Sequence, residues 1–170
     1  MKINEALPIA IDYEHKVRDH YVAGAAQILD PRGKKVFETL GREEQRHVEY
    51  LESRLEEWRK TGKIQDVPLD SILPSPEWLK EAQARFTEGH DPSLAVQAEL
   101  DLLKVALDLE HQASGFYQEL VTKLPEADRP MFARFLDIEQ GHVAIVQAEI
   151  NSLSGLGTWF DFMEFSLEAG

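Results

Sequence analysis

Glu44-Gln45-Arg46-His47 and Glu139-Gln140-Gly141-His142 repeat one pattern at an offset of 95 residues. In each copy Val follows the His, and a Phe stands seven residues before the Glu. Three residues turn a helix by ~300°, so the Glu and His of each copy share one face about one turn apart. A carboxylate and an imidazole at that spacing can reach one metal ion. A single Glu-x-x-His arises by chance in any charged helix. Two copies with matching flanks are a stronger signal, provided each has a further carboxylate to complete it.

The elements that must carry these groups are helices. From Ile3 to about Leu29, apolar residues fall at helical spacing: Ile3, Leu7, Ala10, Val17, Tyr21, Ala25 and Ile28. The gap between Ala10 and Val17 is filled by Glu14, a carboxylate on the stripe meant for the core. Asp30-Pro31-Arg32-Gly33 reads as a turn. A second helix is expected from about Lys34 to Lys60, with Phe37, Leu40, Leu51, Leu55 and Trp58 inward and Glu44 and His47 mid-stripe. Thr61-Gly62-Lys63 closes it.

Residues 61–91 hold Pro68, Pro74 and Pro76 and read as a long crossover, with a short helix after Ser75-Pro76-Glu77 through Phe86. Such a connection makes the second and third helices parallel. Asp91-Pro92-Ser93 signals the start of the third helix. Its inner stripe is expected at Val96, Leu100, Leu103, Leu107, Ser114, Tyr117, Val121 and Leu124, again interrupted by a carboxylate, Glu110. After the turn at 125–130, a fourth helix carries Phe132, Phe135, Val146, Ile150 and Leu153 around Glu139 and His142. Residues 1–154 are thus expected to form one bundle. Residues 155–170 form an aromatic tail with Trp159, Phe160, Phe162, Met163 and Phe165, expected to dock on the bundle or a partner subunit.

The halves align. Glu14-His15 with Tyr21 corresponds to Glu110-His111 with Tyr117 at an offset of 96 residues, and the Glu-x-x-His copies correspond at 95. The pattern predicts a duplicated helical hairpin and an all-α four-helix bundle. Four buried carboxylates cost several kcal/mol each and repel one another. Two divalent cations, with both histidines neutral, close that charge.

This constellation resembles the ferritin-like superfamily and, within it, the rubrerythrins; the likeness covers both hairpins, from about Glu5 to Leu153. The resemblance implies a non-haem centre of two irons, with manganese or a mixed pair as substitutes. By the same resemblance Glu44 and Glu139 bridge the metals. Glu14 with His47 completes one, and Glu110 with His142 the other. Tyr21 and Tyr117, two turns beyond Glu14 and Glu110, lean back toward the metal layer and are expected to orient ligand carboxylates by hydrogen bonding. The implied activity is reduction of peroxide or oxygen with oxidation of iron, electrons coming from a separate donor. Two other readings stand beside it: a ferroxidase or iron-storage protein, and a non-catalytic bundle whose metals only hold the helices together. One departure is visible. Peroxidase-type rubrerythrins carry an extra Glu three residues before the third-helix ligand, where this chain has Leu107.

Bulk properties narrow the field. At 170 residues, 43% hydrophobic and 29% charged, the chain reads as one globular domain. A net charge of -13 argues against nucleic acid. The lack of cysteine excludes disulfides, zinc ribbons and an attached rubredoxin-type centre. No signal peptide or membrane span is read, so a cytoplasmic protein is expected, as a homodimer or larger homo-oligomer. His15 and His111 are expected at the surface or between helices, and His20 and His90 in solvent. Glu43, beside the first ligand, is expected to be dispensable for metal binding.

Overall fold

A computed structural model of the chain describes residues 1–65, 67–69 and 95–154. Among them the protein is all-helical: α1 (Ile3–Ala25), α2 (Pro31–Thr61), α3 (Ala95–Lys123) and α4 (Arg129–Ser154), with a 3-10 turn at Glu126–Asp128 before α4. No strand is present among the described residues, and no helix there is long and apolar enough to cross a membrane. The short helix expected at 76–86, the Asp91 cap, His90, most of the crossover and the aromatic tail lie outside the described residues.

The helix ends have local causes. The backbone N–H of Lys2 donates to Glu5 Oε2 at 2.8 Å, tying down the start of α1. The turn between α1 and α2 lies earlier than the sequence suggests: α1 ends at Ala25 rather than near Leu29. Asp30 caps α2: its Oδ2 accepts the Gly33 N–H at 3.0 Å, and Pro31 occupies the first helical position, where its missing N–H costs nothing. The segment read as a turn is therefore a helix start, and α2 begins at Pro31 rather than near Lys34. Gly62, at φ +68°, ends α2 in the left-handed conformation that favours glycine.

α1 packs on α2 and α3 on α4, and the two hairpins meet along α1 and α3. The core is the set of inward stripes, with Tyr21, Phe37, Tyr117, Phe132 and Phe135 all wholly buried. Burying each such ring contributes roughly 1.5–3 kcal/mol. Gly24 admits one of them: a Cβ there would stand 2.5 Å from the Phe37 ring.

The third helix departs from its expected phase. Its buried line runs Glu99, Leu103, Ala106, Glu110, Ala113, Tyr117, Leu120 and Leu124. Val96, Leu100, Leu107, Ser114 and Val121 are only half-buried. The spacing 3-4-3-4 through two alanines hides the true stripe, because Ala106 and Ala113 carry little hydrophobic weight. Trp58, Ile150 and Leu153 are likewise half-buried rather than central. His20 is no solvated residue either. Its Nε2–H donates to the Leu102 carbonyl at 2.9 Å, which ties α1 to α3.

Candidate metal centre

Each helix delivers acid to one level. Glu14 of α1, Glu44 of α2, Glu110 of α3 and Glu139 of α4 are each 0% exposed, as is His47, and His142 is 2% exposed. Helical side chains lean toward the N-terminus, so Glu14 and Glu110 project over the residues one turn earlier, Ala10 and Ala106. Both alanines are wholly buried, and their small size leaves room for the carboxylates.

Nδ1 of His47 lies 3.1 Å from Glu14 Oε2, 3.1 Å from Glu44 Oε2 and 3.4 Å from Glu139 Oε1. Nδ1 of His142 lies 2.7 Å from Glu44 Oε1, 3.8 Å from Glu110 Oε2 and 3.9 Å from Glu139 Oε2. The two imidazoles stack with centroids 5.5 Å apart and planes 10° from parallel. Two quartets result, Glu14-Glu44-His47-Glu139 and Glu44-Glu110-Glu139-His142, each with ligand atoms within 4.8 Å of one another. Glu44 and Glu139 belong to both. All six residues singled out by the repeat meet here, and Leu107, half-buried against the core, brings no seventh donor.

The tyrosines cross between hairpins. Tyr21 of α1 donates to Glu110 Oε1 of α3 at 2.5 Å, and Tyr117 of α3 donates to Glu14 Oε1 of α1. Burial and the partner carboxylates hold both phenols well above their ordinary range, so they stay protonated donors.

Without cations, protons balance this charge. Burial raises Glu14 to about 7, with Glu44 adding to the rise and His47 opposing it. Burial and the charges of Glu14 and Glu44 raise Glu139 well above the carboxylate range. Burial acts the same way on Glu44, but the two imidazoles outweigh it and hold Glu44 below its ordinary value. Burial pushes His47 down, yet Glu44 and Glu14 raise it to about 10. His142 is raised in the same manner, by Glu44 and Glu110 against burial. Glu44 thus stays ionised between two imidazoles whose protonated form it favours.

That compensation is incomplete. Glu44 Oε1, Glu110 Oε2, both oxygens of Glu139 and Nδ1 of His142 are buried without a hydrogen-bond partner in the protein. The 2.7 Å approach of His142 Nδ1 to Glu44 Oε1 lacks hydrogen-bond alignment. Buried polar atoms normally find partners. Convergent carboxylate oxygens and imidazole nitrogens without them form a donor set that fits hard or borderline divalent cations such as iron and manganese.

Sequence reasoning missed three buried acids: Glu43 at 3% exposure, Glu99 at 4% and Glu149 at 6%. Glu43, expected to be dispensable for metal binding, is buried and converges with His47 and His142. Its place at i-4 from His47, on the ligand face of α2, was the available signal. His15 is half-buried, 3.9 Å from Glu52, and His111 is exposed; neither joins the cluster. Compared with known proteins, the chain matches no protein-family model, no curated protein and no solved structure.

Proposed function

We propose that this protein is a ferritin-like bundle, built from a duplicated helical hairpin with a crossover between α2 and α3, that holds two iron ions. Manganese or a mixed pair suits the same donors. The observation that carries the reading is the pair of overlapping quartets sharing Glu44 and Glu139, buried and with orphaned oxygens. In this reading Glu44 and Glu139 would serve both ions, Glu14 and His47 would hold one, and Glu110 and His142 would hold the other. Bound there, two ferrous ions would supply electrons for the reduction of peroxide or oxygen.

The chain's own residues prepare that chemistry. Tyr21 and Tyr117 each tie one oxygen of Glu110 and Glu14, leaving the second oxygen to face the cluster. Phe135 packs its ring 5.3 Å from His47, edge to face, and 5.0 Å from Tyr117, excluding water from that side. To act as ligands, His47, His142, Glu14 and Glu139 would give up the protons they hold in the metal-free protein. The activity supported best is that of a rubrerythrin-type oxidoreductase served by a separate electron donor.

Metal analysis and the optical spectrum of protein purified without added metal test the site; two irons per chain are expected. Stopped-flow mixing of ferrous-loaded protein with peroxide tests the activity. Oxidation no faster than that of free ferrous iron removes the enzyme reading. Retention of many irons per chain replaces it with iron storage.

A further inference from the structure

Glu43 faces the opposite side of the His47 ring from the acid cluster. Its Oε1 lies 3.8 Å from His47 Nε2, while His47 Nδ1 faces Glu14, Glu44 and Glu139. His47 Nε2 is buried and has no hydrogen-bond partner. The other Glu43 oxygen lies 3.7 Å from Arg46 Nη1, a half-exposed guanidinium that keeps a positive charge beside the carboxylate. The position matching Glu43 in the second hairpin, four residues before His142, is Ile138, which is 4% exposed. An acid thus stands four residues before one histidine on its own helix, and a hydrocarbon four residues before the other.

An imidazole that gives Nδ1 to a cation keeps its proton on Nε2. A buried N–H pointing at a carboxylate fixes the tautomer and ring angle and strengthens the nitrogen on the far side as a donor. Resting on the two-cation reading above, we infer that Glu43 is a positioning residue for His47: it accepts the Nε2–H when Nδ1 binds a cation, and it makes the two cation positions unequal. The 3.8 Å separation lies just beyond hydrogen-bond reach and has to shorten when the bond forms. The His47 cation is held the more tightly, and the His142 cation, whose ligand has Ile138 at the matching i-4 position, exchanges first. A ring nitrogen of His142 also lies within 4.8 Å of this group, but on a neighbouring helix, without the i-4 relation that aims Glu43 at His47.

The test uses cobalt(II), which is redox-stable and gives imidazole N–H protons resolved paramagnetic NMR shifts. Wild-type protein, Glu43→Gln, Glu43→Ile and Ile138→Glu are loaded and titrated with a chelator. Wild-type protein is expected to release its two ions in separate steps. Glu43→Ile weakens the tighter step by about 10–100-fold, the range typical of lost outer hydrogen bonds, and shifts or broadens one exchangeable imidazole resonance. Glu43→Gln keeps an acceptor and the shape, and recovers part of the loss. Ile138→Glu tightens the weaker step. Unchanged affinity and N–H resonances in both Glu43 variants, with two ions still bound, overturn the inference and leave the two-cation reading standing. Equal loss in both steps overturns the assignment to His47. Failure of wild-type protein to bind two ions overturns the reading and this inference together. Melting of the metal-free variants separates a folding defect from lost positioning, because only the latter leaves the metal-free protein unaltered.

Discussion

Tyr21 and Glu110 sit 89 residues apart on different hairpins, yet they share a 2.5 Å hydrogen bond in the interior. Tyr117 and Glu14 return it from the other side. These bonds stitch α1 to α3. Removing one hydroxyl strands a buried carboxylate oxygen, at a cost of about 1–3 kcal/mol. Tyr21→Phe and Tyr117→Phe are each expected to lower the melting temperature of metal-free protein, by about 2–4 °C per kcal/mol for a chain of this size. Thermal unfolding followed by circular dichroism measures it, and unaltered melting in both variants excludes the stitching role.

Glu44 and Glu139 both face both histidines, but they carry charge differently. Glu139 is held protonated by burial and by the charges of Glu14 and Glu44, so Gln imitates it. Glu44 is the anion between two imidazoles, so Gln removes the partner of both. In metal-free protein, Glu44→Gln is expected to cost about 3–5 kcal/mol and Glu139→Gln under about 1 kcal/mol. Denaturant unfolding of the two variants should differ accordingly. Equal losses contradict this charge assignment.

Metal should stabilise the fold. An ion that binds only the native state adds about 2.7 kcal/mol when present at 100 times its dissociation constant. Ferrous or manganous ion is expected to raise the melting temperature of wild-type protein and to leave Glu44→Ala unmoved, since that variant lacks a carboxylate common to both quartets. A chelator should reverse the rise.

Glu99 gives the fold a pH dependence of its own, away from the cluster. Burial, and then Asp30, raise it to about 7 from an ordinary value of 4.5. Between those limits the native state holds a proton that the unfolded chain has released, so stability falls as pH rises through the window. Below about 4.5 the penalty is absent; above about 7 it is complete. Glu99 lines a cavity of about 410 Å³, and with a discount for solvent screening we expect roughly 2 kcal/mol. Glu99→Gln should therefore stabilise the protein at pH 8 and do nothing at pH 4. Denaturant titrations at the two values measure the difference.

A smaller test concerns packing. The Phe37 ring occupies the space a side chain at Gly24 would need, with contacts at 2.5 and 2.7 Å. Gly24→Ala is expected to cost about 1–3 kcal/mol through displacement of that ring. Phe37→Leu, which shortens the intruding side chain, should recover part of the loss in the double variant.

The six clustered residues were legible because a repeat marks them twice. A carboxylate on an apolar stripe is ambiguous alone and informative when its counterpart recurs at the same register. What a helical pattern gives is a face, not a partner. Tyr21 was placed on the right stripe, but nothing along one helix reveals that it reaches across to Glu110. The phase of α3 was lost because Ala106 and Ala113, though buried, look neutral beside Leu100 and Leu107. Glu43 was overlooked because an acid next to a ligand looks like ordinary surface charge. Asp30-Pro31 is a stop and a start in the same letters, and only the capping bond to Gly33 decides between them.

The phenol bonds have a kinetic side. Their partners are 89 and 103 residues apart, so neither bond can form until α1 and α3 have met. Each hairpin can assemble quickly from near neighbours, but a lone hairpin holds unmatched acids and a phenol without its acceptor. Docking of the two halves is then the late and slow event, set by loop closure rather than by helix formation. Two separately made half-chains should remain loosely ordered until mixed.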